Sequence, residues 1–471
     1  MPPLSDAERR RKRRNEWIVA SIVILIAAAI AGGIVWWKEK TSEELRSDGA
    51  YIPKPVTLTP EMELLREYVR IDTSTPAGAA NGARWVAAQL QKRGIPAEII
   101  ESAPQRLNVY ARIRGKQRGG GLLLFHHIDV VPPNGKWHSR PFGGDVAGDQ
   151  MFGRGTLDMK ALAICQLLAF ADVAKGEIPA HDLVFLATAD EESGSQYGMQ
   201  WLLANRKDIF ADVQYGVTEG GITEMVRERM TYFGIETGGK QLVELTLEGP
   251  DLDSLRRARF ALEPYMFPRE AERVLPEVAR YFRVIAPTRM AYRPYLEDIE
   301  RTIATGQFWR LPAPYRDLAQ NALWAGAPAQ NGARFVMPVK QANLPDENPD
   351  ARIAWLAKIV APFGVRVADV TTKQGPVPIS TEQTPLFAIL RDEATRRYSV
   401  PAGLQILYRS ATDARFLRPH GIICYGVSPF RVDYFESLSI HSTDERIRLP
   451  WFQEGVAYMR SVVARWARGA D

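Results

Sequence analysis

From Pro60 onward, apolar residues recur in two alternating rhythms. In "PEMELLREYVRI", Met62, Leu64, Leu65 and Val69 fall at helical spacing, which predicts an amphipathic helix. "GARWVAAQLQKRG" keeps that rhythm and ends at Gly94, the residue type that most readily closes a helix. "LNVYARIRG" alternates as a strand does, and "GLLLFHHIDVV" is a continuous apolar strand. "ALAICQLLAFADVAKG" is a helix ending at Gly176, and "DLVFLATA" is another buried strand. Apolar strands separated by helices need cover on both faces, so the pattern predicts an α/β sheet flanked by helices. Ligands of such sheets sit at the carboxyl ends of the strands.

A different pattern occupies the N-terminus. Trp17 to Trp37, "WIVASIVILIAAAIAGGIVWW", is a run of 21 residues without a charged side chain. At helical rise it spans about 31 Å, against a hydrocarbon core of roughly 30 Å. A core helix would show a polar stripe, and none is visible. Residues 17–37 therefore read as a transmembrane helix with tryptophans at both interfaces. Six cationic residues at 9–14 outweigh Lys38 and Lys40 after the run, so residues 1–16 read as a basic cytoplasmic tail. Everything beyond the helix is then periplasmic or extracellular. Ala29-Ile30-Ala31 offers the competing reading of a cleaved signal peptide, but the apolar run continues past it through Ile34, Val35 and two tryptophans. Residues 38–60, polar and proline-spaced, read as a stalk.

Composition changes this picture little. The chain is 46% hydrophobic and 24% charged, as ordinary globular proteins are, and its net charge of +5 is exceeded by the cluster at 9–14. Outside that cluster no basic face calls for a nucleic acid. With no further spanning segment, a transporter or channel subunit is excluded. The two cysteines, Cys165 and Cys424, both sit in apolar runs where a free thiol packs well, so the core rather than a disulfide framework must hold the exported domain together.

Chemistry-bearing residues do gather at strand ends. They are His126-His127-Ile128-Asp129; Asp158 in "GRGTLDMK"; Glu191 and Glu192 in "ADEESGS"; Glu219 in "YGVTEGG"; and, far downstream, His441 in "SLSIHSTDERI". Each alone has a plain structural reading, as a core histidine, a helix cap or a solvated turn. Together they do not, because several buried carboxylates need cations to offset one another. The six histidines leave little else to do so, with none between His181 and His420. Oxygen and imidazole donors without thiolate suit zinc, or less specifically cobalt or manganese. Two histidines and three carboxylates are too many for one tetrahedral ion. They suit two ions sharing a bridging carboxylate and a water, with a further carboxylate as general base.

The ordered series "HIDVVP", "W…PFGG…GRGTLDMK", "ADEESGS", "TEGG", "ATDARFLRPHG" and "IHSTDER" resembles the motifs of the dinuclear-zinc peptidase and aminoacylase superfamily. That group includes carboxypeptidase G, carboxypeptidase S, aminoacylase, acetylornithine deacetylase and succinyl-diaminopimelate desuccinylase. The resemblance runs from about Pro60 to the C-terminus. It implies a mixed-sheet catalytic domain in two parts, 61–239 and 369–471, interrupted by a smaller α+β lid at 240–368. It implies two zinc ions, one held by His127 and Glu219 and the other by Glu192 and His441, with Asp158 bridging. Glu191 would be the general base, and Asp129 would orient the His127 imidazole. The implied reaction is hydrolysis of an amide, in a peptide near a free carboxylate or in an N-acyl amino acid. Arg154, Lys160 and Asp413 are taken as architectural.

The lid departs from that pattern. Where the family follows "QLVELTLEG" with a Gly-His pair that reaches an active site, commonly across a dimer, this chain reads "GPDLDSLRRARF". Ala342 in "VKQANLPDENP" stands where the family carries a substrate-binding arginine. These absences leave homodimerisation and substrate choice open. They also raise the alternative of a non-catalytic binding module, against which the intact metal set and Glu191 weigh. The segment "RYFRVIAPTRMAYRPYLEDIER" interleaves arginines with acids and is expected to be a solvated helical surface rather than a rebuilt substrate clamp. His126 has no assigned role: it either packs against a helix or reaches the altered pocket.

Overall fold

The computed structural model describes residues 53–469 except 222, 227, 228, 267, 269, 270, 272, 407–411 and 433. The expected tail, transmembrane helix and first part of the stalk, residues 1–52, lie outside the described residues. Among those described, no helix is long and apolar enough to cross a membrane.

Thr59 opens α1 (Pro60–Val69) by accepting a hydrogen bond from the Met62 N–H, and Thr75 opens α2 (Pro76–Gln91) through the Gly78 N–H. Then come β1 (Glu98–Ala103), β2 (Arg106–Ile113), β3 (Gln117–His127), α3 (Ala161–Ala174), β4 (His181–Thr188), β5 (Val213–Thr218) and β6 (Arg229–Gly238). A second sheet begins with β7 (Gln241–Gly249) and, after α4 (Leu252–Met266) and α5 (Pro276–Ile285), continues through β8 (Ala322–Ala325), β9 (Arg334–Asn343), α6 (Pro349–Val360) and β10 (Arg366–Lys373). The chain returns by α7 (Pro385–Tyr398), β11 (Ala402–Ile406), β12 (Ile423–Gly426) and α8 (Leu449–Arg468).

The main sheet runs β1-β2-β4-β3-β5-β12-β6-β11 and is mixed: β3 is parallel to β4 and β5, while β2 is antiparallel to β4. Its centre shows why "GLLLF" has no polar position. Leu122 and Leu124 join the core shared with α3 and α8, while Leu123 and Phe125 join a separate core containing Leu186, Leu202 and Cys424. Both faces of β3 are therefore covered. Both cysteines are free and buried.

The second sheet runs β8-β9-β7-β10 and is antiparallel throughout. Val243, Leu245, Leu247, Met337 and Val339 face Leu255 and Leu262 of α4 and Leu356 and Val360 of α6, a core distinct from the main one. Its last strand runs on to Lys373, past the expected boundary at residue 368. In place of a Gly-His pair after β7, the Asp251 carboxylate accepts from the Ser254 N–H at 2.7 Å and caps α4. Ala342 is buried, paired with Leu242 and Ala322.

The segment expected to be a solvated surface is only half so. Arg280 and Arg283 of α5 are exposed, but Tyr281, Phe282 and Ile285 enter the main core. Each such apolar side chain is worth ~1.5–3 kcal/mol, against ~0–1 kcal/mol for exposed pairs of the Arg293–Glu297 kind. Packing therefore decides where this segment sits, and the helical apolar stripe was hidden among charges.

Candidate metal centre

His127 is the last residue of β3, and its side chain leaves on the face of Leu123 and Phe125. Its Nδ1–H donates to the Asp129 carbonyl oxygen at 2.8 Å, which turns Nε2 toward the carboxylates. That Nε2 lies 3.1 Å from Asp158 Oδ1 and 3.6 Å from Glu219 Oε1. The Asp129 carboxylate, expected to orient the imidazole, stands 3.7 Å from Nδ1. Its main work is elsewhere: it accepts from the backbone N–H of Glu191 at 3.0 Å and of Glu192 at 3.1 Å, fixing the turn that carries both glutamates.

Asp158 arrives on a turn that begins at Gly155, whose φ of +88° favours glycine. One of its oxygens faces each histidine: Oδ1 faces His127, and Oδ2 lies 2.9 Å from His441 Nε2. His441 Nε2 also lies 3.1 Å from Glu192 Oε1. Glu219 directly follows β5 and is itself followed by Gly220 at φ +112°. Thus the structure gathers His127, Asp158 and Glu219 on one side and His441, Asp158 and Glu192 on the other.

The charge balance shows what this cluster lacks. Burial, reinforced by Asp158, pushes the Glu219 carboxyl up to about 8. Burial likewise raises Asp129 to about 6 and Glu191 well above the usual carboxylate range. Hydrogen bonds to Asp158 and Glu192 push His441 up to about 10. Two imidazoles alone do not neutralise so many carboxylates, and the remaining charge must be met by protons or by divalent cations. The donor geometry fits cations: ligand atoms of His127, Glu191 and Glu219 lie within 4.8 Å of one another, as do those of His127, Asp158 and Glu192.

Two supporting residues escaped the sequence reading, although both stand inside quoted motifs. Glu445 is fully buried; it accepts from the Leu157 N–H at 2.8 Å and the Asp158 N–H at 3.2 Å, and pairs with Arg154 at 2.6 Å. Arg415 lies 3.4 Å from Glu191 Oε1. Arg154 and Lys160 do structural work, Lys160 donating to the Ile71 carbonyl at 2.8 Å. Asp413, buried, accepts from Ser195 and Thr188.

His126 leaves on the other face of β3, with Leu122 and Leu124. Gln166 of α3 donates both amide hydrogens, to the Phe125 and Val217 carbonyls, so its oxygen accepts from His126 Nδ1–H at 3.0 Å. The ring edges onto Phe185, and burial lowers its pKa to about 4. A histidine whose folded pKa lies below the unfolded ~6.5 stabilises the fold above that value and loses the contribution as pH falls toward 4. Urea unfolding midpoints should therefore fall more steeply from pH 6.5 to 4 in the native protein than in His126→Gln, by up to about 3 kcal/mol. Parallel profiles would remove this assignment.

Comparison with known proteins identifies the family and the fold. The model of Peptidase family M20/M25/M40 matches residues 123–465. A succinyl-diaminopimelate desuccinylase of Methylocella silvestris is 40% identical over 152 residues, 30% of this chain and 38% of that protein. One from a Methylobacterium radiotolerans strain is 41% identical over 104 residues, 21% of this chain and 26% of that protein. The chain thus spans less than half the length of these curated relatives. Among solved structures, an M20 family metallo-carboxypeptidase from Sulfolobus solfataricus shares the fold with a TM-score of 0.67 at 16% identity, covering 87% of this chain and 100% of that one. Human carnosine dipeptidase 1 does so with a TM-score of 0.65 at 15% identity, covering 86% and 95%.

Proposed function

The chain belongs to peptidase family M20/M25/M40 and is a metallohydrolase, and from that premise we propose that it cleaves an amide bond in a dipeptide, a peptide C-terminus or an N-acyl amino acid, using two zinc ions. The observation that carries this reading is Asp158, one carboxylate oxygen of which faces each histidine. His127 and Glu219 would hold one ion, His441 and Glu192 the other, and Asp158 both. Bound there, divalent ions supply Lewis acidity and lower the pKa of water. Glu191 takes the proton of the attacking water and returns it to the leaving amine nitrogen, its side chain being 10% exposed and beside His127 and Glu219. Asp129 keeps Glu191 and Glu192 in register through their N–H groups.

The apolar run 17–37 and the basic tail before it support a single-pass anchor, with the hydrolase outside the cytoplasm.

The test is turnover by the full chain against dipeptides and N-acyl amino acids, N-succinyl ones included, with and without added zinc or cobalt. Metal-dependent release of an amine is expected from at least one class. Silence across the panel from protein loaded with two equivalents of metal would overturn the reading in favour of a binding module.

A further inference from the structure

The Glu191 carboxylate stands where two attractions compete for it. Its oxygen lies within 4.8 Å of donor atoms of both His127 and Glu219, close enough to join a cation held by that pair. On another side Arg415 Nη1 approaches Oε1 at 3.4 Å, the two side chains being 9% and 10% exposed. Arg415 sits on the short helix Ala414–Leu417, its guanidinium over the Phe416 ring at 4.7 Å. Its Nε has no hydrogen-bond partner among the described residues. A buried guanidinium, always charged, is thus set against the Glu191 carboxylate, with Asp413 also within its field.

The distinction matters chemically. A carboxylate that coordinates a divalent cation shares a lone pair with it and loses most of its basicity, whereas one held off the cation by an arginine stays outside the ligand set.

We propose that Arg415 is a positioning residue that holds the Glu191 carboxylate out of metal coordination, so that it stays a base and does not become a ligand; this rests on the two-cation hydrolase reading above. Without the guanidinium, Glu191 closes onto the site beside His127 and Glu219.

Arg415→Met, Arg415→Lys, Glu191→Gln and the double variant Arg415→Met/Glu191→Gln test this, each measured for kcat, KM and retention of zinc against a chelator. In Arg415→Met, kcat should fall ~10²-fold with KM nearly unchanged. The same protein should hold metal ~10-fold more tightly, because a carboxylate has been added to the ligand set. Arg415→Lys, which keeps the charge, should recover at least ~10-fold of the lost rate. In the Glu191→Gln background Arg415→Met should cost nothing more, since both act through one carboxylate. Additive losses, or metal retention equal to that of the native protein, would overturn the inference while leaving the hydrolase reading intact. A native protein that neither binds zinc nor turns over would remove both.

Discussion

Glu191→Gln should lower kcat by ~10²–10⁴-fold while leaving KM and metal content close to those of the native protein. The replacement is nearly isosteric, and the backbone N–H of residue 191 still donates to Asp129, so the turn keeps its shape. What disappears is a proton acceptor. An amide oxygen does not take a proton from water at neutral pH, so the loss falls on the chemical step. Neither of the two groupings about Asp158 depends on Glu191: His127 faces Asp158 and Glu219, and His441 faces Asp158 and Glu192. Equal falls in kcat and kcat/KM, with zinc still bound in equimolar pairs, would mark an interaction made in the transition state alone. A variant within ~3-fold of native turnover would take the role of base away from this residue.

Most of the proposed metal donors stand out in sequence because they follow an apolar strand, where an imidazole or carboxylate has no ordinary reason to appear. The parity of β3 also separated His127 from His126. The means by which the donors are held was less legible. Asp129 turned out to grip the imidazole with its carbonyl oxygen and the glutamate turn with its carboxylate, and spacing along one strand says nothing about partners 62 residues away. Glu445 reaches Asp158 across 287 residues, and Arg415 likewise reaches Glu191 from a distant part of the chain. Such contacts are set by how β12 and the segments before and after it lie beside β3, β4 and β5, and no local period encodes that. The α5 segment shows the opposite case: its arginines are exposed, while Val278, Phe282 and Ile285, three and four residues apart, form the stripe that packs.

Asp158→Asn should be more damaging to metal binding than any other single change. The native carboxylate is held below the ordinary range despite its burial, because hydrogen bonds from His127 and His441 favour the charged form. The same two contacts define its role: Oδ1 toward His127 and Oδ2 toward His441 place one anionic oxygen beside each half of the centre. An asparagine keeps one oxygen but offers N–H in place of the other, and it carries no charge to share between two cations. Whichever way the amide turns, one half of the site is left with a donor pointing inward. Glu445 still accepts from the backbone N–H of residues 157 and 158, so the turn itself should stay in place. The expected result is a protein that melts near the native metal-free temperature, binds at most one equivalent of zinc, and loses more than ~10²-fold in kcat/KM, the upper range seen when only an outer partner of a metal ligand is removed. Two tightly held equivalents in this variant would show that the halves of the centre fill independently, and that Asp158 lies between them without joining them.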